Sequence, residues 1–174
     1  MSDCCSTDES CAVPAEQAAN TAVSVNPAEG TCPSCGEKGK TVDTQIVKAM
    51  LAVSLEAVRP SASYRFCRTE SCPIVYYSDE AGQFFTEDQL RERVHQKHPT
   101  ADDVNVCYCF NHSPGSIRAE FEQGITNVVA RVTEGTKTGQ CACDIRNPQG
   151  SCCLGNVGKV VKRIEAEIAT AVLV

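Results

Sequence analysis

Thirteen cysteines in a chain of 174 residues carry most of the chemistry the sequence can offer, and their spacing sorts them into sets. Cys32-Pro-Ser-Cys35 is a CxxC followed at once by Gly36, and Cys67-Arg-Thr-Glu-Ser-Cys72 is a C-x4-C. Two knuckles that each offer two thiolates can enclose one tetrahedral ion, the closed arrangement of structural zinc. Gly36 suits a turn in which backbone amides point at the sulfurs. A redox CxxC would need a βαβ context and a helix directly after it, whereas Glu37-Lys38-Gly39-Lys40 reads as a turn. Four sulfurs leave no open position for water, so this site is expected to order the fold without catalysing a reaction.

A second group follows later in the chain. Cys107-Tyr108-Cys109 is a CxC, and Cys141-Ala142-Cys143 and Cys152-Cys153 come after it, with Asn147-Pro148-Gln149-Gly150 forming a turn between them. A [2Fe–2S] cluster needs four thiolates, two on each iron, and zinc accepts four as well, so the spacing alone leaves the metal open. Cys4, Cys5 and Cys11 are soft donors of the type that bind Cu(I), Hg(II) or As(III), although a cysteine-bearing tail can also be incidental. A Rieske centre would need two histidines paired closely with two cysteines, so His95, His98 and His112 read as surface or structural residues. Asp79, Glu80, Asp102 and Asp103 read as a turn and a solvated face. No Gly-rich phosphate loop, Ser–His–Asp set or cysteine beside a base is recognisable, so the chain is not expected to be an enzyme.

Metal is the better reading of these thiols than disulfides. Aromatic residues make up only 5% of the chain and Trp is absent, which leaves a thin core that needs a staple. Met1 to Ser10 shows no basic or apolar signal segment, and no stretch is apolar enough to span a bilayer. A cytoplasmic location is therefore expected, where close-spaced cysteines bind metal or do redox chemistry. The net charge of −6 argues against nucleic acid as a partner.

These sites must be positioned by an α+β framework. Residues 1–30 read as a disordered tail, 31–100 as a small zinc-bearing β-rich module and 101–174 as a helical metal-binding module. Ile46, Val47, Met50, Leu51, Leu55 and Val58 predict one helix that ends at Pro60. Strands are expected at 64–66, at 74–77 and from Phe84, with a Thr86/Gln89 capping box after the last. The polar stretch 98–103 reads as a joint between modules. Ser116 is expected to cap a helix that stops near Gly124, and another helix follows Thr126 and ends before Gly135. Residues 134–154 read as a long loop. Val157, Val160, Val161, Ile164, Ile168 and Val172 predict a final amphipathic helix packed on the core.

The second group also carries a resemblance. Cys107-Tyr-Cys109-Phe110, Cys141-Ala-Cys143 and Asn147-Pro-Gln-Gly-Ser-Cys152-Cys153-Leu154 resemble the iron–sulfur part of the N-terminal domain of CopZ-type copper chaperones. That part is similar to the bacterioferritin-associated ferredoxin fold. The Cys32–Cys72 quartet with Ile74-Val75-Tyr76-Tyr77 resembles the zinc part of the same domain, and the similarity covers about residues 31 to 172. The resemblance implies a [2Fe–2S] cluster on Cys107, Cys109, Cys143 and Cys153, with Cys141 or Cys152 as substitutes. It implies Zn2+ on Cys32, Cys35, Cys67 and Cys72. It further implies a role in copper or other soft-metal homeostasis, with single-electron transfer or redox sensing and a redox protein or metal transporter as partner. The Met-x-Cys-x-x-Cys copper loop of the family is absent from this sequence. The rival expectations are a ferredoxin-like electron carrier without metal traffic and a zinc-only structural adaptor.

Overall fold

The computed structural model describes residues 30–172, so Cys4, Cys5 and Cys11 lie outside the described residues. A four-stranded antiparallel sheet in the order β1-β2-β3-β4 forms from Lys40–Val42, Tyr64–Phe66, Ile74–Ser78 and Gln83–Thr86. It is joined by α1 (Thr44–Met50), α2 (Pro114–Glu122), α3 (Val128–Lys137), α4 (Cys143–Arg146) and α5 (Leu154–Val172). The architecture is α+β, as the residue pattern predicts. Every residue of β3 is buried, which fits its run of Ile, Val and two tyrosines.

One apolar cluster gathers α1 residues such as Ile46 and Val47 with Tyr64, Phe66, Tyr76 and Phe85 of the sheet. A second gathers Ile117 of α2, Val128 and Val132 of α3, and Val157, Val160, Val161 and Ile164 of α5. The α5 stripe is therefore core, as its periodicity predicts, with α2 and α3 packed against it.

Local predictions fail where tertiary bonds compete. The helix expected to run to Pro60 stops at Met50, because Ala52 N–H donates to Gln89 O at 2.8 Å and Arg91 N–H to Met50 O at 2.8 Å. Residues 55–57 form only a single 3-10 turn, capped by Ser54. Ser113, not Ser116, caps α2: Pro114 takes the first helical position, and Ser113 and Ser116 form a reciprocal capping box. The next helix passes through Gly135, where the Phe110 ring occupies the space a Cβ would need. The expected loop 134–154 contains α4, and β1 is a strand the pattern did not signal.

Three contacts fasten the two clusters together. The buried Tyr76 hydroxyl donates to Pro148 O at 2.6 Å, across 72 residues of sequence. Gly150, at φ +61°, brings its backbone so close to the sheet side that a Cβ would meet Ile46 Cγ2 at 3.3 Å. Helix α1 packs on α4. Tyr76→Phe would leave the Pro148 carbonyl buried without its donor, so it should cost about 1–3 kcal/mol of stability. Urea denaturation of the two proteins measures this, and an unchanged midpoint would show that the tie contributes nothing.

Candidate metal centres

The first knuckle is built by backbone pairing. Thr31 bridges Lys38, Cys32 N–H donates to Glu37 O at 2.9 Å, and Gly36 N–H donates to Cys32 O at 2.9 Å. Gly36 sits at φ +74°, a left-handed position that the turn requires and that glycine adopts without strain. The second knuckle is the tip of the β2–β3 hairpin, with Cys67 directly after β2 and Cys72 two residues before β3. The register pairing Phe66 with Tyr76 therefore fixes the second pair of sulfurs relative to the sheet.

The four sulfurs of Cys32, Cys35, Cys67 and Cys72 all lie within 4.8 Å of one another. Cys32 Sγ and Cys72 Sγ are 3.7 Å apart, and Cys35 Sγ and Cys67 Sγ are 3.6 Å apart. A tetrahedron with Zn–S bonds of about 2.3 Å has sulfur–sulfur edges of about 3.8 Å, so donor set and spacing fit a tetrathiolate zinc ion. Burial pushes the Cys32 thiol up to about 12, against amides of Cys35 and Ser34 that favour its thiolate. Cys35 is less deeply buried. Burial opposes its ionisation too, but the Thr69 hydroxyl, the Glu37 amide and Cys67 bring it down to about 7. Metal entry must therefore displace protons, as thiolate sites require.

Lys97 and Thr69 both act on this site, and the sequence singled out neither. The Lys97 ammonium is buried and donates to Thr69 O and Ile74 O, each at 2.8 Å, on either side of Cys72. Burial raises the Cys67 thiol, and the Lys97 charge is among the groups that oppose this. A zinc ion with four thiolates carries a net charge of −2, so a buried cation beside it is compensated. A lone lysine in a polar stretch gives no sequence signal for this role.

In the second group the sulfurs pair differently. Cys109 Sγ lies 3.8 Å from Cys143 Sγ, and the Cys107 and Cys153 thiols are near enough to shift each other's ionisation. Cys141 and Cys152 enter neither pair; Cys141 is half-buried and Cys152 is exposed. The CxC is held by another tight turn, in which Cys107 N–H donates to His112 O at 3.0 Å and His112 N–H donates back to Cys107 O at 3.1 Å. Asn111 takes the left-handed position there, at φ +55°. Hydrogen bonding from Cys153 outweighs burial and, with the amides of Phe110 and Cys109, brings Cys107 down to about 6. The same bond and burial drive Cys153 upward. Burial raises Cys143 to about 12, against the Cys153 amide. Ala142 N–H donates to Cys109 Sγ at 3.3 Å.

The histidines stay away from these sulfurs in their recorded contacts. His98 Nε2 meets Glu87 Oε2 at 2.7 Å, the His112 ring faces Glu120, and His95 is buried. Tyr108, the middle residue of the CxC, holds the inter-module segment: His95 N–H donates to its oxygen at 2.9 Å, and its hydroxyl donates to Arg93 O at 2.7 Å.

Lys97→Met should weaken zinc about tenfold, the usual effect of removing an outer partner of a metal site. Competition with a chromophoric chelator measures this, and an affinity equal to wild type would mean that Lys97 only packs.

Comparison with known proteins agrees with the first site. The chain is 26% identical over 147 residues to the copper chaperone CopZ of Archaeoglobus fulgidus, covering 79% of this chain and 69% of that protein. It superposes on the X-ray structure of the A. fulgidus CopZ N-terminal domain with a TM-score of 0.59 at 26% identity, covering 75% of this chain and 96% of that domain. Residues 29–91 match the family model of a CopZ-type zinc-binding domain.

Proposed function

We propose that the chain is a CopZ-like metal-homeostasis protein that holds zinc on Cys32, Cys35, Cys67 and Cys72 and a [2Fe–2S] cluster on Cys107, Cys109, Cys143 and Cys153. The observation that carries the second half is the pairing of sulfurs. Cys107 with Cys153 and Cys109 with Cys143 make two separate thiolate pairs, the donor set that two irons share. Among the described residues, only the first quartet forms a cage in which all sulfurs lie within 4.8 Å. A single ion would favour such a cage for the second group as well.

A cluster held there supplies one-electron chemistry at a potential set by charge, hydrogen bonds and exposure. Amides of Cys109 and Phe110 at Cys107, and of Ala142 at Cys109, are placed to stabilise added negative charge on the sulfurs. Cys107, Cys143 and Cys153 are buried, while Cys109 is only half-buried and gives electrons the shortest route to the surface. With all four positions on each iron taken, the role is transfer of electrons to an ion or a partner protein, not catalysis on a bound substrate. A soft ion such as Cu(I) is the cargo this reading implies, with a redox protein or metal transporter as partner in the cytoplasm. Among the described residues, no helix is long and apolar enough to cross a membrane.

Purification without oxygen, followed by metal analysis and a visible spectrum, tests the proposal. The expected result is a red-brown protein, bleached by dithionite, with two irons, two sulfides and one zinc per chain. A colourless protein with zinc alone would replace it with the structural-adaptor reading. Cys153→Ser should strip or destabilise the cluster and Cys152→Ser should leave it mostly intact; the reverse order would refute the ligand assignment within that pair.

A further inference from the structure

One side chain holds the turn between Cys143 and Cys153. Gln149 Nε2 donates to Ser151 O at 3.2 Å and to Cys152 O at 3.0 Å. Its Oε1 accepts from Gln96 Nε2 at 2.6 Å and from Asn156 Nδ2 at 3.0 Å. A carboxamide has two donor hydrogens and two acceptor lone pairs, so this one is fully engaged. Turned over, it would set its oxygen against two carbonyls, which fixes its orientation. The backbone beneath it is fixed as well, because Gln149 N–H donates to Asn147 Oδ1 at 3.3 Å. Asn147 is buried and donates from Nδ2 to Ser151 O at 2.7 Å.

The bond to Cys152 O bears directly on the sulfurs. That carbonyl and the Cys153 N–H belong to one trans peptide unit, which is planar and moves as a rigid plate. Gln149 holds the carbonyl end, and the N–H end points the opposite way. The Cys153 amide is near enough to the Cys143 sulfur to favour its thiolate. The following peptide unit is held too, since Cys153 O accepts from Asn156 N–H at 2.8 Å and from Val157 N–H at 3.0 Å. Both backbone units around Cys153 are thus clamped, one by the first turn of α5 and one by Gln149. Any helix start supplies the first clamp. The second exists only because residue 149 carries an amide that reaches back to its own loop.

We infer that Gln149 is a positioning residue for the second cysteine group: by holding the Cys152–Cys153 peptide it aims the Cys153 N–H at the Cys143 sulfur and raises the reduction potential of a cluster bound there. The inference rests on the cluster reading of Cys107, Cys109, Cys143 and Cys153. Reduction adds negative charge that spreads onto the sulfurs, and a hydrogen bond to a sulfur stabilises that charge. An apolar side chain at 149 releases the plate, so its N–H turns from the sulfur and the reduced state loses that support.

Gln149→Met keeps the length of the side chain and removes its donors and its acceptor. The full, metal-loaded chain is titrated without oxygen against redox dyes while the visible absorption of the cluster is followed. The equilibrium constant for reduction should fall about tenfold, which for one electron is a shift of about 59 mV to more negative potential. Asn156→Ala removes one of the two donors that orient Gln149 Oε1, and it should shift the potential the same way by less. Tyr76→Phe loosens the same turn at Pro148 without touching Cys152 O, so it should leave the potential unchanged. An unchanged potential in Gln149→Met overturns the inference, and so does an equal shift in Tyr76→Phe, which would show general loosening of the turn. If Gln149→Met loses its cluster, Asn156→Ala decides by the same criterion. A wild-type chain without iron refutes the cluster reading and this inference with it, whereas a wild-type cluster at the potential of Gln149→Met refutes the inference alone.

Discussion

Four sulfurs within 4.8 Å of one another cannot be a resting arrangement of bare thiolates, which repel, or of thiols, which bond weakly. A cation among them turns a repelling cluster into the anchor of the module. With only 5% aromatic residues, the apolar core is small, and domains of this size are stable by about 5–15 kcal/mol. Binding of structural zinc supplies about 10–16 kcal/mol in small peptides, so the ion's contribution is comparable to the whole margin of stability. The sheet, the hairpin tip at Cys67–Cys72 and the buried ammonium of Lys97 all depend on that anchor.

The two cysteine groups are also linked to each other. Lys97 reaches the zinc loop, Tyr108 holds the backbone at Arg93 and His95, and Arg163 of α5 donates to Pro99 O at 2.7 Å. The segment between the modules is therefore tied to the first site, to the CxC and to the last helix.

Much of this was legible in the residues. The β-branched and aromatic runs gave strands at 64–66 and 74–77 almost to the residue, and the knuckle spacings gave the first quartet. The stripe from Val157 to Ile168 gave α5. What escaped is long-range in origin. The early end of α1 is set by backbone bonds to residues 89 and 91, the three-residue strand β1 exists only because β2 pairs with it, and α4 is one turn within a polar loop. Lys97 gave no signal because its carbonyl partners lie 23 and 28 residues away. The pairing of Cys109 with Cys143, where Cys141 was an equal candidate by type, likewise needed coordinates.

The bond from Tyr76 to Pro148 has a consequence for how the chain is made. Synthesis runs from the N-terminus, so every residue of the first quartet has left the ribosome while the second group is still incomplete. Until residue 148 emerges, the Tyr76 hydroxyl can be served only by water, and the sheet face that receives the Asn-Pro-Gln-Gly turn stays wet. The two sulfur sets thus emerge one after the other, separated in time as well as in space. Closure of that wet face is the step that joins the first half to the second.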